Sequence, residues 1–100
     1  MAQLHQGDII KIENFKCPVV VVSKDFFNAK GAIFGCPIVK KSPQSSLHIW
    51  TPAKDHEGYV QCENLKLLDM SVRGHKRTGR LPFNEIINIS DAIQGIFEYV

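Results

Sequence analysis

Long apolar runs are missing from this chain. The longest, Val19–Val22, is four residues, against roughly 20 for a bilayer-spanning helix, so no membrane association is expected. The polar Met1–Gly7 stretch lacks the apolar segment of a secretory leader, and none is expected. Cysteine is scarce: Cys17, Cys36 and Cys62 are odd in number and form no Cys-x-x-Cys. That excludes a disulfide scaffold and points to reduced thiols in a cytoplasmic setting. The four histidines, His5, His48, His56 and His75, are dispersed and show no metal-ligand spacing. No metal and no cofactor are therefore expected. There is no GxGxxG, GKS/T, HExxH or GxSxG pattern, so nucleotide-binding loops, zincins and nucleophile elbows have no support.

What remains is an ordinary globular composition. Hydrophobic residues make up 44% and charged residues 22% of 100 residues, which excludes a disordered chain. The length fits one domain over residues 1–100.

The first two-thirds read as strands. Asp8–Glu13 alternates Ile10 and Ile12 against Lys11 and Glu13. The valines of Pro18–Ser23 restrict χ1 and favour a pleated surface, and their continuity implies burial on both faces. Lys24–Gly31 breaks the pattern, and Ala32–Val39 resumes it. Pro37 lacks an N–H, so it is expected at an edge, a bulge or a strand end. Lys40–Ser45 and Pro52–Gly58 read as polar loops. Between them Ser46–Thr51 puts Leu47, Ile49 and Thr51 on one side and His48 and Trp50 on the other. Tyr59–Glu63 and Leu65–Asp69 are further strands, and Met70–Gly79 reads as a short helix followed by a turn or strand.

Pro82–Val100 is the clearest helix. Ile86, Ile89, Ile93, Ile96, Phe97 and Val100 recur at spacings of three and four and share a face. Pro82 suits the first turn. Gly95 weakens the helix interior by about 1 kcal/mol, which a close contact with the sheet would offset. The sum is a mainly β fold with a C-terminal helix, a small bent antiparallel sheet or half-open barrel.

Net charge is only +2, but Arg73, His75, Lys76, Arg77 and Arg80 crowd eight residues. Such a cluster fits a polyanion site and equally a solvated turn. Cys62, beside Glu63, reads as a packed thiol rather than a nucleophile.

The order of segments resembles the MazF/PemK/Kid family of bacterial toxins. The resemblance runs from Gly7 to about Phe97. It rests on Gly7-Asp8-Ile9-Ile10, Pro18–Ser23, Phe27-Asn28, Cys36-Pro37-Ile38, Tyr59–Asn64, Leu68-Asp69-Met70, Arg73-Gly74 and Lys76-Arg77. It implies an SH3-like barrel with a C-terminal helix, a homodimer, and a metal-independent endoribonuclease acting on single-stranded RNA. In that chemistry a ribose 2′-OH attacks the adjacent phosphorus and a 5′-OH leaves. It also implies a cognate antitoxin with a DNA-binding half and a disordered acidic tail.

Carried onto this chain, the resemblance makes Glu63 the base and gives catalytic roles to Arg73 and Lys16. RNA contacts fall to Asn64, Lys66, His75, Lys76, Arg77 and His48. For Glu63 the plain alternative is an exposed strand-end charge. For Arg73 it is a salt bridge with Asp69, four residues earlier. Three departures matter: Cys17 replaces the family's arginine, Val39 its threonine, and Gln61 its basic residue two before the acid. A ribonuclease therefore needs another cation within reach of Glu63, from Arg73, Lys16 or His48. Failing that, the chain is a degenerate relative that binds RNA or a protein partner without cutting.

Overall fold

The computed structural model describes residues 3–53 and 56–97. Strands β1 (Asp8–Ile12) and β2 (Val19–Val21) precede a single-turn helix α1 (Asp25–Asn28). Then come β3 (Ala32–Val39), β4 (His48–Thr51), β5 (Gly58–Gln61) and β6 (Lys66–Asp69). A 3₁₀ turn (Met70–Val72), β7 (His75–Arg80) and helix α2 (Phe83–Phe97) complete the described chain.

All strand pairs are antiparallel, in the order β4-β5-β3-β2-β1-β7, with β6 also on β3. This is the expected bent sheet with a C-terminal helix. The bend lies in β3, whose first half pairs with β6 and whose last two residues pair with β5. Gly35 sits at this seam. A Cβ there would stand 2.4 Å from Val19 Cγ1, so only a bare backbone allows the approach.

Pro37 departs from expectation: it lies inside β3, an interior strand. Ile38 N donates to Pro18 O and Val22 N to Phe34 O, both at 2.9 Å. The even-numbered residues of β3 therefore bond to β2, and position 37 faces the other way. On that side β6 pairing ends at Gly35 and β5 pairing begins at Ile38. The missing N–H of Pro37 falls in the gap.

Burial on both faces of β1, β2 and β3 creates two cores. Ile9, Val20, Cys36, Ile38, Val60 and Cys62 pack with Leu81 and Ile89 on the α2 side. Ile10, Ile12, Val19, Val21 and Ile33 pack with Leu68 and Met70 on the other.

Helix α2 lies on the first core through Ile86, Ile89, Ala92 and Ile93. Pro82 stands just before it, and its carbonyl accepts the first helical bond, from Ile86 N at 3.2 Å. The expected stripe stops short: Ile96 and Phe97 are exposed, and Val100 lies outside the described residues. Gly95 faces open space, with nothing within 4 Å of an added Cβ, so no contact with the sheet offsets its helical cost. No described helix is long and apolar enough to cross a membrane.

Candidate active site

Strand parity sorts β4 and β5 into two faces. Leu47, Ile49, Val60 and Cys62 join the core beneath α2, and buried Thr51 donates its hydroxyl to Glu85 Oε2 of that helix at 3.0 Å. His48 and Trp50 therefore emerge on the opposite face, across from Gln61 and Tyr59 respectively. Glu63 stands in the turn that follows β5, two residues beyond Gln61.

There His48 Nε2 meets Glu63 Oε2 at 2.5 Å. The other ring nitrogen, Nδ1, lies 2.6 Å from Pro43 O and 2.7 Å from Ser42 Oγ. A carbonyl on one side and a carboxylate on the other suit an imidazolium, which donates from both nitrogens. The Glu63 carboxylate, followed by the Pro43 carbonyl, raises His48 above its ordinary 6.5. His48 in turn holds Glu63 below its ordinary 4.5. The histidine side chain is 7% exposed and the carboxylate side chain 41%, so the acid faces solvent while the ring is held from behind.

Gln61 extends the support. Its Nε2 donates to Ser42 Oγ at 3.3 Å and its Oε1 accepts from Asn64 Nδ2 at 2.7 Å. Asn64 is thus part of the scaffold behind the pair. Of the three candidate replacement cations, His48 is the one in contact with Glu63. No ion pair within 4 Å joins Lys16 or Arg73 to Glu63 among the described residues.

The remaining basic candidates divide. Lys16 and Lys66 line a depression of about 190 Å³ with Phe15, Cys17, Pro37 and Val19. The Arg73 guanidinium lies 5.4 Å from the ring centroid of Phe15, a cation–π distance, and Phe15 is one of the residues lining that depression. Asp69 instead accepts from Ser71 N at 3.0 Å and Ser71 Oγ at 2.6 Å. Pro37 shares a face with Gln61 by continuation of the β3–β5 register, so the depression opens on the same face of the sheet as Gln61 and His48. His75, Lys76 and Arg77 lie on β7, at the far end of the sheet from β4. There Arg77 and Arg80 approach buried Asp8 at 3.8 and 4.0 Å.

Ser42, Pro43 and Gln61 carry no sequence signal for their part in holding His48, because a hydroxyl, a carbonyl and an amide act here only through their positions. Cys36 and Cys62 are buried, and burial pushes their thiols up to about 12 and about 11, as packing residues rather than nucleophiles. Among the described residues no group of three His, Cys, Asp or Glu side chains is placed to hold a metal ion.

A bent antiparallel sheet capped by a C-terminal helix is the fold of a class of small toxins. The chain belongs to the PemK-like, MazF-like toxins of type II toxin–antitoxin systems, whose family model matches residues 3–97. In structure it is similar to a MazE–MazF complex chain from Deinococcus radiodurans, with TM-score 0.87 and 18% identity over 97% of this chain and 98% of that one. An endoribonuclease from a mycobacterial species superposes with TM-score 0.83 and 16% identity over 97% and 93% of the two chains. The Mycobacterium tuberculosis toxin MazF-mt6 gives 0.75 and 15% over 91% and 95%. No curated protein matches at the sequence level.

Proposed function

We propose that this toxin is an endoribonuclease that cuts single-stranded RNA, with Glu63 as base and His48 as acid. The contact between these two side chains carries the reading. It places a cation beside Glu63, and it biases Glu63 toward its ionised form and His48 toward its protonated form, the forms a base and an acid need.

RNA entering between the two side chains replaces their mutual contact. Glu63 removes the 2′-OH proton, the 2′-oxygen bonds to phosphorus, and the P–O5′ bond breaks as His48 Nε2 gives its proton to the leaving oxygen. The products are a 2′,3′-cyclic phosphate and a 5′-OH. Glu63 is then protonated and His48 neutral. When the product leaves, the restored contact lets the proton return from Glu63 to His48. Single strands suit this step because a free backbone can turn the 2′-OH in line with the leaving oxygen. Lys16, Lys66 and Arg73, beside the neighbouring depression, are placed to attract flanking phosphates.

The partner follows by analogy: similar structures include an endoribonuclease in complex with its cognate antitoxin from a mycobacterial species. An antitoxin covering the Glu63 face, on a homodimer of this chain, is the corresponding assembly. A second reading, binding without cleavage, rests on Cys17 and Val39, neither of which replaces the guanidinium or hydroxyl of the family pattern.

Incubating the purified protein with a long single-stranded RNA in EDTA tests the proposal. Discrete cuts with cyclic or 3′-phosphate and 5′-OH ends, lost in Glu63→Gln, are expected. A folded protein that leaves the RNA intact gives the second reading.

A further inference from the structure

Trp50 is the single tryptophan of the chain, and it is 49% exposed. It sits across from Tyr59 on the β4–β5 pair, with ring centroids 5.1 Å apart and planes at 64°. This edge-to-face contact steadies the indole while leaving about half of its surface open. The pair shares its sheet face with His48 and Gln61, one cross-strand step away. Two residues of strand cover roughly 6.5–7 Å, about the length of one extended nucleotide.

A rigid aromatic surface one nucleotide from an acid–base pair has a specific use. Unpaired bases stack on such rings whatever their identity, since every base has a π-face. Exposed Lys40 and Lys41 follow Val39, the residue paired with Tyr59, and add the positive charge that single-strand grooves combine with stacking. On one side the rings are bordered by the polar network around His48.

We infer that Trp50 and Tyr59 form a stacking platform that binds the unpaired nucleobase next to the bond being cut. The inference deepens the proposed ribonuclease reading and rests on it for the position of the scissile bond. The platform acts through binding, so it lowers KM and leaves kcat to Glu63 and His48.

The sole tryptophan makes its own probe. The protein is titrated at low salt with 2′-O-methyl oligonucleotides of A, C, G and U, which lack the attacking hydroxyl. Binding is followed in parallel by anisotropy of a label on the RNA. Indole quenching that saturates with the anisotropy is expected. Trp50→Leu weakens binding and raises KM roughly 5- to 150-fold, the range for loss of one stacked base, while Trp50→Phe restores most of it. Glu63→Gln keeps the quench and loses cleavage.

Saturated binding with unchanged emission, together with an unaltered KM in Trp50→Leu, overturns the platform and leaves the ribonuclease standing. A wild-type protein that quenches but never cuts overturns the ribonuclease and keeps a base-stacking site. Emission that shifts with protein concentration and ignores RNA overturns the platform in favour of contact between copies. A protein that neither binds nor cuts overturns both.

Discussion

His48 of β4 and Glu63 of the turn after β5, fifteen residues apart in the chain, face each other at 2.5 Å. Each shifts the other's proton affinity toward its charged form. The pair is held from behind by Pro43, Ser42 and Gln61, so removing either member leaves the other with its supports but without its partner.

Glu63→Gln and His48→Asn are each expected to lower kcat by about 10²–10⁴, the usual contribution of a positioned acid or base. Because the two act as a unit, the double variant loses little more than either single one. Additive losses in single-turnover assays would show independent roles.

The pair also predicts a pH window. His48 is raised in the folded state, so its contribution to stability is full below its ordinary 6.5 and is lost as pH rises through the raised value. Glu63 is lowered, so its contribution is present above its ordinary 4.5 and is lost as pH falls through the lowered value. The pH profile of kcat/KM, which reports the free enzyme in which the contact is intact, then follows a bell with its acidic limb below 4.5 and its alkaline limb above 6.5. NMR titration of His48 checks this directly: its midpoint should fall in Glu63→Gln.

The basic residues predict unequal salt effects. Lys16→Ala with Lys66→Ala should reduce the slope of log affinity for single-stranded RNA against log salt by about 1.4, or about 0.7 per phosphate contact. Lys76→Ala with Arg77→Ala, at the far end of the sheet from β4, should leave the slope unchanged. The reverse pattern would move the RNA path to the β7 edge.

Two glycines should respond oppositely. Gly35→Ala forces a methyl against Val19 Cγ1 at the sheet seam and is expected to cost about 1–3 kcal/mol through overpacking. Gly95→Ala enters open space on α2 and is expected to stabilise by about 0.5–1 kcal/mol. Urea midpoints at unchanged m decide both.

Thiol labelling separates the cysteines. Cys17 is partly open and should react under native conditions. Cys36 and Cys62, raised to about 12 and about 11 by burial, should react only after unfolding. Native reaction of all three would show that the core beneath α2 opens readily.

The strands were legible where side chains alternate. Leu47, Ile49 and Thr51 did separate from His48 and Trp50, and the valine run was buried on both faces. Helix α1 was missed because Asp25–Asn28 is a single turn, too short for periodicity to register. The place of Pro37 was missed because a missing N–H can be accommodated wherever two neighbouring strands leave a gap, and local sequence does not reveal such gaps.

Sequence alone determined the alternation, the terminal amphipathic helix and the order of segments, which depend on local periodicity and residue chemistry; Glu63 was singled out only through the family resemblance that this order carries. Tertiary structure decided which cation meets Glu63, how the basic residues divide between the depression and β7, and that Trp50 and Tyr59 lie beside His48. Those relations depend on cross-strand register, which sets His48 opposite Gln61 and Trp50 opposite Tyr59, 13 and 9 positions apart, through backbone pairing that no single segment encodes.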